Sequence, residues 1–130
     1  MYTYKIEQAI KAAALLHQEQ LRKGPMELPF LTHPISVMTI LRDYTDDENA
    51  LVAALLHDTV EDTDYTFEEM STDFGDEVTE IVRAVTQPEN TGEVKLSWLE
   101  VKSIYAKQIK KGPVEAAMVA AADKTHNFRS

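Results

Sequence analysis

Apolar residues recur at helical spacing along almost the whole sequence, and this periodicity is the strongest constraint on the fold. In an α-helix, positions three and four residues apart lie on one face, so the spacing predicts amphipathic helices. No stretch of the 130 residues alternates strictly between apolar and polar types, as a half-buried strand would. The pattern therefore predicts an all-α fold, a compact bundle of several helices in a single domain spanning residues 1–130.

Glycine, proline and capping residues predict where these helices begin and end. Pro34 suits the first turn of a helix, and it biases His33, at the entry, away from helical conformation. The polar segment 87–96 is expected to be a loop and the most mobile part of the chain. The helices are expected at about 4–23, from 34, at about 47–60, from 67, at about 76–86, from 98, and from about 114.

The charge balance limits the kinds of partner that the chain can bind. Its net charge is −9, whereas binding to nucleic acid relies on many contacts between cations and phosphates, so nucleic acid is not expected as a partner. A small phosphorylated ligand is compatible with this charge if a metal ion and a few local cations offset it. The longest apolar run, "AAMVAAA" at 116–122, is too short to cross a bilayer, and the N-terminus has no secretion-signal pattern, so a cytoplasmic protein is expected.

The most informative stretch is "ALLHDTVEDT" at 54–63, where an apolar helix ends in a cluster of acids. A helix C-terminus carries partial negative charge, which disfavours each carboxylate there by about 0.3–1 kcal/mol when no cation is near. Asp58 is three residues from Glu61 and four from Asp62, so like charges share one face of the helix. The cluster therefore predicts a bound counter-ion.

Four residues are candidate ligands for that ion. His57 and Asp58 are adjacent in a helix, about 100° apart, and can converge on one ion. His33 is placed by Pro34, and Asp123 follows the alanine-rich run "VAAAD", which we expect to be buried and where an unpaired charge would be costly. Two imidazoles and two carboxylates suit Mn²⁺, Fe²⁺ or Zn²⁺, and the chain has no cysteine to offer a thiolate. On spacing alone, an alternative remains for both His33 and His57: each could be an ordinary core or surface histidine that binds no metal ion.

Three motifs in order carry a resemblance to a known family. "THP" at 32–34, "LLHDTVEDT" at 55–63 and "AADKTHN" at 121–127 resemble the HD-domain hydrolases of the RelA/SpoT kind, which remove the 3′-pyrophosphate from guanosine alarmones. The likeness runs from "HQEQLRK" at 17–23 to the last residues. It implies an HD-domain bundle that binds one divalent metal ion, usually Mn²⁺. The implied ligands are His33, His57, Asp58 and Asp123.

The resemblance also implies roles for residues outside the ligand set. Glu61 and Asp62 would act on the attacking water. Arg22 and Lys23 would lie near the guanine and the phosphates, and Asn127 near the nucleoside. His17 and His126 also occupy motif positions, but for both we expect packing or hydrogen bonding at a helix end rather than metal ligation.

Two departures from the family pattern bear on the nucleotide site. The stretch "KGPMELPF" at 23–30 is slightly longer than usual and has Phe30 in place of an aromatic hydroxyl. The sequence also ends seven residues after Asp123, so we expect the family's further C-terminal helices to be missing, and no synthetase domain follows.

The sequence therefore predicts a small, stand-alone hydrolase that removes the 3′-pyrophosphate from guanosine tetraphosphate or pentaphosphate. One alternative is a broader nucleotide phosphohydrolase that also acts on a nicotinamide dinucleotide phosphate. Another is a module that binds alarmones without turnover. The oligomeric state stays open.

Overall fold

A computed structural model describes residues 2–88 and 97–129, and its helices surround one central helix. The all-α prediction is confirmed, and the predicted loop at 87–96 lies outside the described residues from 89 onward. The helices are α1 (Tyr4–Leu16), α2 (Thr32–Leu41), α3 (Glu48–Leu56), α4 (Thr59–Asp62), α5 (Phe67–Phe74), α6 (Asp76–Val85), α7 (Trp98–Lys111) and α8 (Val114–Arg129).

The central helix is α3, which is buried on every side. Each residue from 50 to 56 has a relative exposure of 0%. A helix that is apolar all round must be enclosed, and here α1, α2, α6 and α8 pack around it. Burying each leucine or valine side chain contributes about 1.5–3 kcal/mol, so the C-terminal end of α3 is a firm support for the residues that follow.

The central helix ends at Leu56, earlier than the predicted end near Val60, because two side chains compete for its last carbonyl groups. His57 Nδ1–H donates to the carbonyl oxygen of Ala54 at 2.6 Å, and the Thr59 hydroxyl donates to that of Leu56 at 2.7 Å. These bonds replace backbone bonds that would continue the helix. The chain therefore turns at His57 and Asp58 before α4 begins.

The first helix ends at Leu16, and the prediction that it continues to Lys23 is wrong. The His17 amide donates to the carbonyl oxygen of Ala13 at 3.0 Å and closes the helix, while the His17 ring is buried at 2% exposure. The chain then turns instead of adding another helical turn. As a result, Lys23 lies in a loop beyond the helix.

A short hairpin follows, contrary to the expectation that no strand is present. β1 (Leu21–Arg22) pairs antiparallel with β2 (Leu28–Pro29), and the Phe30 amide donates to the Gln20 carbonyl oxygen at 2.9 Å. Strands of two residues are too short to produce a detectable alternation in the sequence. The hairpin places Arg22 opposite Leu28.

His33 lies inside α2, so the prediction that proline would exclude it from the helix is wrong. Its amide donates to the Phe30 carbonyl oxygen at 2.9 Å, and its side chain is 2% exposed. Pro34 is the third residue of α2, where no donor is required. Burial of the His33 side chain and the hydrogen bond from its amide therefore outweigh the bias of the residue before proline against helical conformation.

Caps and a close approach fix the other helix ends as predicted. Thr66 and Glu69 form both hydrogen bonds of a capping box, and Ser97 accepts the Glu100 amide at 3.2 Å. Gly112 separates α7 from α8, and a Cβ atom there would lie 2.8 Å from the Cβ of Ala84. Only glycine fits so close to α6. Within the described ranges, no helix has both the length and the apolarity to cross a membrane.

Replacing Leu51 with alanine is expected to lower the free energy of unfolding by about 2–5 kcal/mol, because it leaves a cavity beside the central helix. Urea titration with a metal chelator present measures this loss without a contribution from metal binding. Leu99→Ala on α7 is the control, because Leu99 is 71% exposed, and we expect a change below about 0.5 kcal/mol. Equal losses in the two variants would contradict the assigned core.

Candidate metal centre

Two histidines and two aspartates from three parts of the chain converge on one point. His33 comes from α2, His57 and Asp58 from the turn after α3, and Asp123 from α8. One ligand atom from each lies within 4.8 Å of all the others. The structure thus brings together all four residues that the sequence predicts as metal ligands.

His57 is held in one orientation by the backbone. A carbonyl oxygen can only accept a hydrogen bond, so the bond to Ala54 places a proton on His57 Nδ1. His57 Nε2 lies 3.1 Å from Asp58 Oδ2 and 3.1 Å from Asp123 Oδ1. The nitrogen that faces the carboxylates is therefore the one suited to bind a metal ion.

His33 presents its Nε2 atom to the same two carboxylates. This atom lies 2.8 Å from Asp123 Oδ1 and 3.6 Å from Asp58 Oδ2. On its other side, His33 Nδ1 lies 2.7 Å from His126 Nδ1. Both nitrogens of this buried ring therefore have polar partners.

Asp58 and Asp123 both have lowered pKa values, and their negative charges favour a bound cation. Burial alone would raise the pKa of Asp58, but the charge and hydrogen bond of His57 bring it below its ordinary value. Burial also opposes ionisation of Asp123, yet hydrogen bonds from His33 and His57 lower its pKa further. Both carboxylates are ionised at neutral pH and available as ligands.

The pKa of His57 shifts in the opposite direction, upward. Burial would lower its pKa, but the negative charge of Asp58 and contacts with Asp123 raise it well above the usual value. A proton on Nε2 thus balances the carboxylates when no other cation is present, and metal binding releases such a proton. Two nitrogen and two oxygen donors, partly buried and already ordered, fit a divalent metal ion.

Two further carboxylates lie on α4 beside the candidate ligands. Glu61 accepts a hydrogen bond from the Gln87 amide, and Gln20 Nε2 donates to the backbone oxygen of Asp62 at 3.0 Å. Partial burial is the main cause that raises the pKa of Glu61, opposed by the Gln87 amide and assisted by the charge of Asp58. Partial burial and Asp58 also raise the pKa of Asp62. Both groups therefore hold protons more readily than ordinary surface acids.

Two of the three predicted substrate-binding residues, Arg22 and Asn127, are linked to the centre through one chain of hydrogen bonds. Arg22 donates to Asn127 Oδ1 at 2.7 Å, and Asn127 Nδ2 donates to Asp123 Oδ1 at 3.3 Å. Arg22 and Lys23 also line a cleft of about 510 Å³ whose wall includes Phe30 and Asp62. The hairpin thus places both cations next to one of the α4 acids.

Asn127 lines a second cleft, of about 270 Å³. Asp123 forms part of its wall, with Lys102 and Lys124 as cations. Tyr105 also lines it, and burial together with the charges of Asp123, Glu61 and Asp58 raises the pKa of Tyr105 to about 12. A larger cleft of about 580 Å³, beside Phe67 and Arg83, contains none of the four candidate ligands, so volume alone does not locate the chemistry.

Sequence reasoning missed the residues that support the site rather than form it. Gln87, Lys102 and Tyr105 belong to no motif, and Gln20 lies in the stretch 17–23 without a role assigned to it. The contacts of these residues with the site exist only once the helices have packed. His126 was expected to pack or to form a hydrogen bond at a helix end, and its contact with His33 joins two distant motifs. The spacing of Asp123 and His126, three residues apart on α8, is the one signal that could have indicated a shared face.

Comparison with known proteins identifies the family. The family model described as HD domain matches residues 9–130. The guanosine-3′,5′-bis(diphosphate) 3′-pyrophosphohydrolase MESH1 of Drosophila melanogaster is 39% identical over 134 residues, which cover 99% of this chain and 72% of that protein. The human MESH1 protein is 40% identical over 124 residues, covering 94% of this chain and 66% of that one. A GTP pyrophosphokinase of Streptomyces coelicolor is 39% identical over 128 residues, covering 97% of this chain but 14% of that protein.

Solved structures agree with the sequence comparison. A metazoan ortholog of SpoT that hydrolyzes ppGpp superimposes with a TM-score of 0.87 at 37% identity, covering 99% of this chain and 71% of that one. A protein from Listeria monocytogenes EGD-e superimposes with a TM-score of 0.67 at 38% identity, covering 78% of this chain and 62% of that one. The chain therefore belongs to the HD-domain family, as its three motifs indicated.

Proposed function

We propose that this protein is a metal-dependent hydrolase that removes the 3′-pyrophosphate from guanosine tetraphosphate and pentaphosphate. The observation that carries the proposal is the convergence of four ligand atoms within 4.8 Å of one another, next to two carboxylates with raised pKa values. Its choice of substrate is supported by the relatives, since MESH1 of Drosophila melanogaster is named as a 3′-pyrophosphohydrolase of guanosine-3′,5′-bis(diphosphate).

The proposed metal ligands are His33, His57, Asp58 and Asp123. Their mixture of imidazole and carboxylate donors suits Mn²⁺, which we propose as the physiological ion. When bound, such an ion binds a phosphate oxygen and lowers the pKa of water at the site.

Glu61 and Asp62 are proposed to orient and deprotonate the attacking water. As a carboxylate takes a proton from the water, the water oxygen forms a bond to the phosphorus on the ribose 3′-oxygen. The bond from that phosphorus to the 3′-oxygen breaks, and the proton passes to the 3′-oxygen. The products are pyrophosphate and a nucleotide with a 3′-hydroxyl. A raised pKa makes Glu61 a stronger base than a glutamate with the ordinary pKa. One such base contributes about 10² to 10⁴ in rate, so the ligands and the cations must supply the remainder of the acceleration.

Arg22, Lys23 and Asn127 are proposed to hold the substrate. Arg22 and Lys23 share a cleft with Phe30, whose ring can stack on a nucleobase, while the cations offset phosphate charge. Asn127 bridges Arg22 and Asp123, so it couples the nucleotide cleft to the metal ligands. We propose that the base and the 3′-phosphate of the substrate lie on either side of the Asn127 amide group.

A second candidate function is a broader nucleotide phosphohydrolase. Phe30, the aromatic ring in the cleft with Arg22 and Lys23, has no hydroxyl group that could form a hydrogen bond with guanine. Stacking on a ring without such a bond selects weakly among bases. This feature favours activity on other phosphorylated nucleotides, including a nicotinamide dinucleotide phosphate.

The substrate proposal predicts pyrophosphate release from guanosine tetraphosphate in the presence of Mn²⁺. The measurement compares kcat/KM for guanosine tetraphosphate with that for NADPH and for nucleotides that carry a 3′-monophosphate. A preference for the 3′-diphosphate of at least about tenfold, or about 1.4 kcal/mol, is expected. No preference would favour the broader hydrolase, and tight alarmone binding without any product would favour a module that only binds.

Removing a proposed ligand is expected to remove both metal and activity. His57→Ala and Asp58→Ala should each weaken Mn²⁺ binding by more than about 100-fold, because losses of 10–100-fold already follow from altering the groups behind the ligands. Electron paramagnetic resonance of free Mn²⁺ measures the affinity. Asp73→Ala, on α5 and away from the cluster, is the control and should bind as the unaltered protein does.

Glu61→Gln is expected to keep the metal and lose turnover, because glutamine retains the shape of the side chain but cannot take a proton. We expect kcat to fall by about 10²- to 10⁴-fold with Mn²⁺ affinity within about threefold. Steady-state kinetics at saturating substrate and a Mn²⁺ titration give the two values. Glu68→Gln on exposed α5 surface is the matched control. An unchanged kcat in Glu61→Gln would show that another group activates the water.

A further inference from the structure

We infer that His126 is a positioning residue of the metal centre. It accepts the Nδ1–H of His33 and thereby keeps the Nε2 lone pair of His33 directed at the ion. This inference rests on the proposed metal ligands, but it does not depend on which nucleotide is the substrate.

The contact between the two rings is close, and it is buried on the His33 side, whereas His126 is partly exposed. Their Nδ1 atoms are 2.7 Å apart, the ring centroids are 5.0 Å apart, and the ring planes differ by 27°, so the two rings meet edge to edge. His33 is 2% exposed, so water does not readily replace this partner. His126 follows the ligand Asp123 by three residues on α8, which lets one helix contact both nitrogens of His33.

The proton count assigns a direction to this hydrogen bond. A hydrogen bond between two ring nitrogens needs one proton, and a neutral imidazole carries only one. If His33 Nε2 binds a metal ion, the proton of His33 must be on Nδ1. His126 Nδ1 must then be the acceptor, and the proton of His126 must be on its own Nε2 atom.

The two histidine ligands are therefore oriented by different means. His57 donates to a backbone carbonyl, which can only accept, so its tautomer is fixed by the fold. His33 donates to a side chain that could either accept or donate. The orientation of His33 as a ligand thus depends on the chemical identity of residue 126, whereas that of His57 does not depend on any single side chain beyond its own.

Two substitutions of His126 distinguish a role as hydrogen-bond acceptor from a role in packing alone. His126→Phe keeps an aromatic ring against His33 but removes the acceptor. His126→Asn loses the ring but places Oδ1 about where Nδ1 lies in histidine. A packing role predicts that phenylalanine is the better replacement, whereas our inference predicts that asparagine is.

Mn²⁺ affinity without nucleotide is the first measurement. We expect His126→Phe to bind Mn²⁺ about 10–100-fold more weakly than the unaltered protein, and His126→Asn to recover most of that loss. Phenylalanine binding as tightly as histidine would overturn the inference. Asparagine binding as weakly as phenylalanine would do so as well.

The second measurement uses the unaltered protein, so it does not depend on the folding of any variant. With ¹⁵N-labelled histidine and the diamagnetic ion Zn²⁺, we expect a scalar coupling across the hydrogen bond between His33 Nδ1 and His126 Nδ1, and an unprotonated His126 Nδ1. A protonated His126 Nδ1 in the loaded protein would contradict the inference. Neither measurement involves turnover, so a failure of the proposed hydrolase activity would leave both results unchanged and would be recognised separately.

Discussion

The Oδ1 atom of Asp123 lies 2.8 Å from His33 Nε2 and 3.1 Å from His57 Nε2, and this shared contact joins α8 to α2 and to the end of α3. A half-buried carboxylate without a positive partner would be costly, so the cluster is stable only when a proton or a metal ion balances its charge. The same balance lets Asp58 be ionised beside Asp123. The geometry of the bundle and the charge state of the centre therefore depend on each other.

Local sequence signals predicted the parts of the fold that are determined locally. The capping box at Thr66 and the end of α7 at Gly112, whose amide donates to the carbonyl oxygens of Gln108 and Ile109, depend on contacts within a few residues, and both are found as expected. The early end of α1 and the helical state of His33 could not be predicted in this way. Both depend on burial of a histidine ring against residues elsewhere in the bundle, which overrides propensity and the bias before proline.

In the candidate site, too, some residues could be predicted from the sequence and others could not. The motif order indicated His33, His57, Asp58 and Asp123 before any geometry was known, and the structure brings these four side chains together. The atoms that orient them could not be predicted. The carbonyl oxygen of Ala54 is a backbone group that has no sequence signature, and the Gln87 amide reaches Glu61 across 26 positions of the chain.

The net charge of −9 does not prevent binding of a polyanion, because salt screens the repulsion from distant surface charges and only charges near the site act on the ligand. Charges on exposed surface more than about 8 Å away are largely screened at physiological ionic strength. A divalent ion at the proposed site would balance the carboxylates of Asp58 and Asp123, which would lower the local cost of a nearby phosphate. The two flanking clefts add four cationic side chains, Arg22, Lys23, Lys102 and Lys124. Under the proposed function, these few side chains and the ion, rather than the overall charge of the chain, would govern whether a phosphorylated nucleotide can approach.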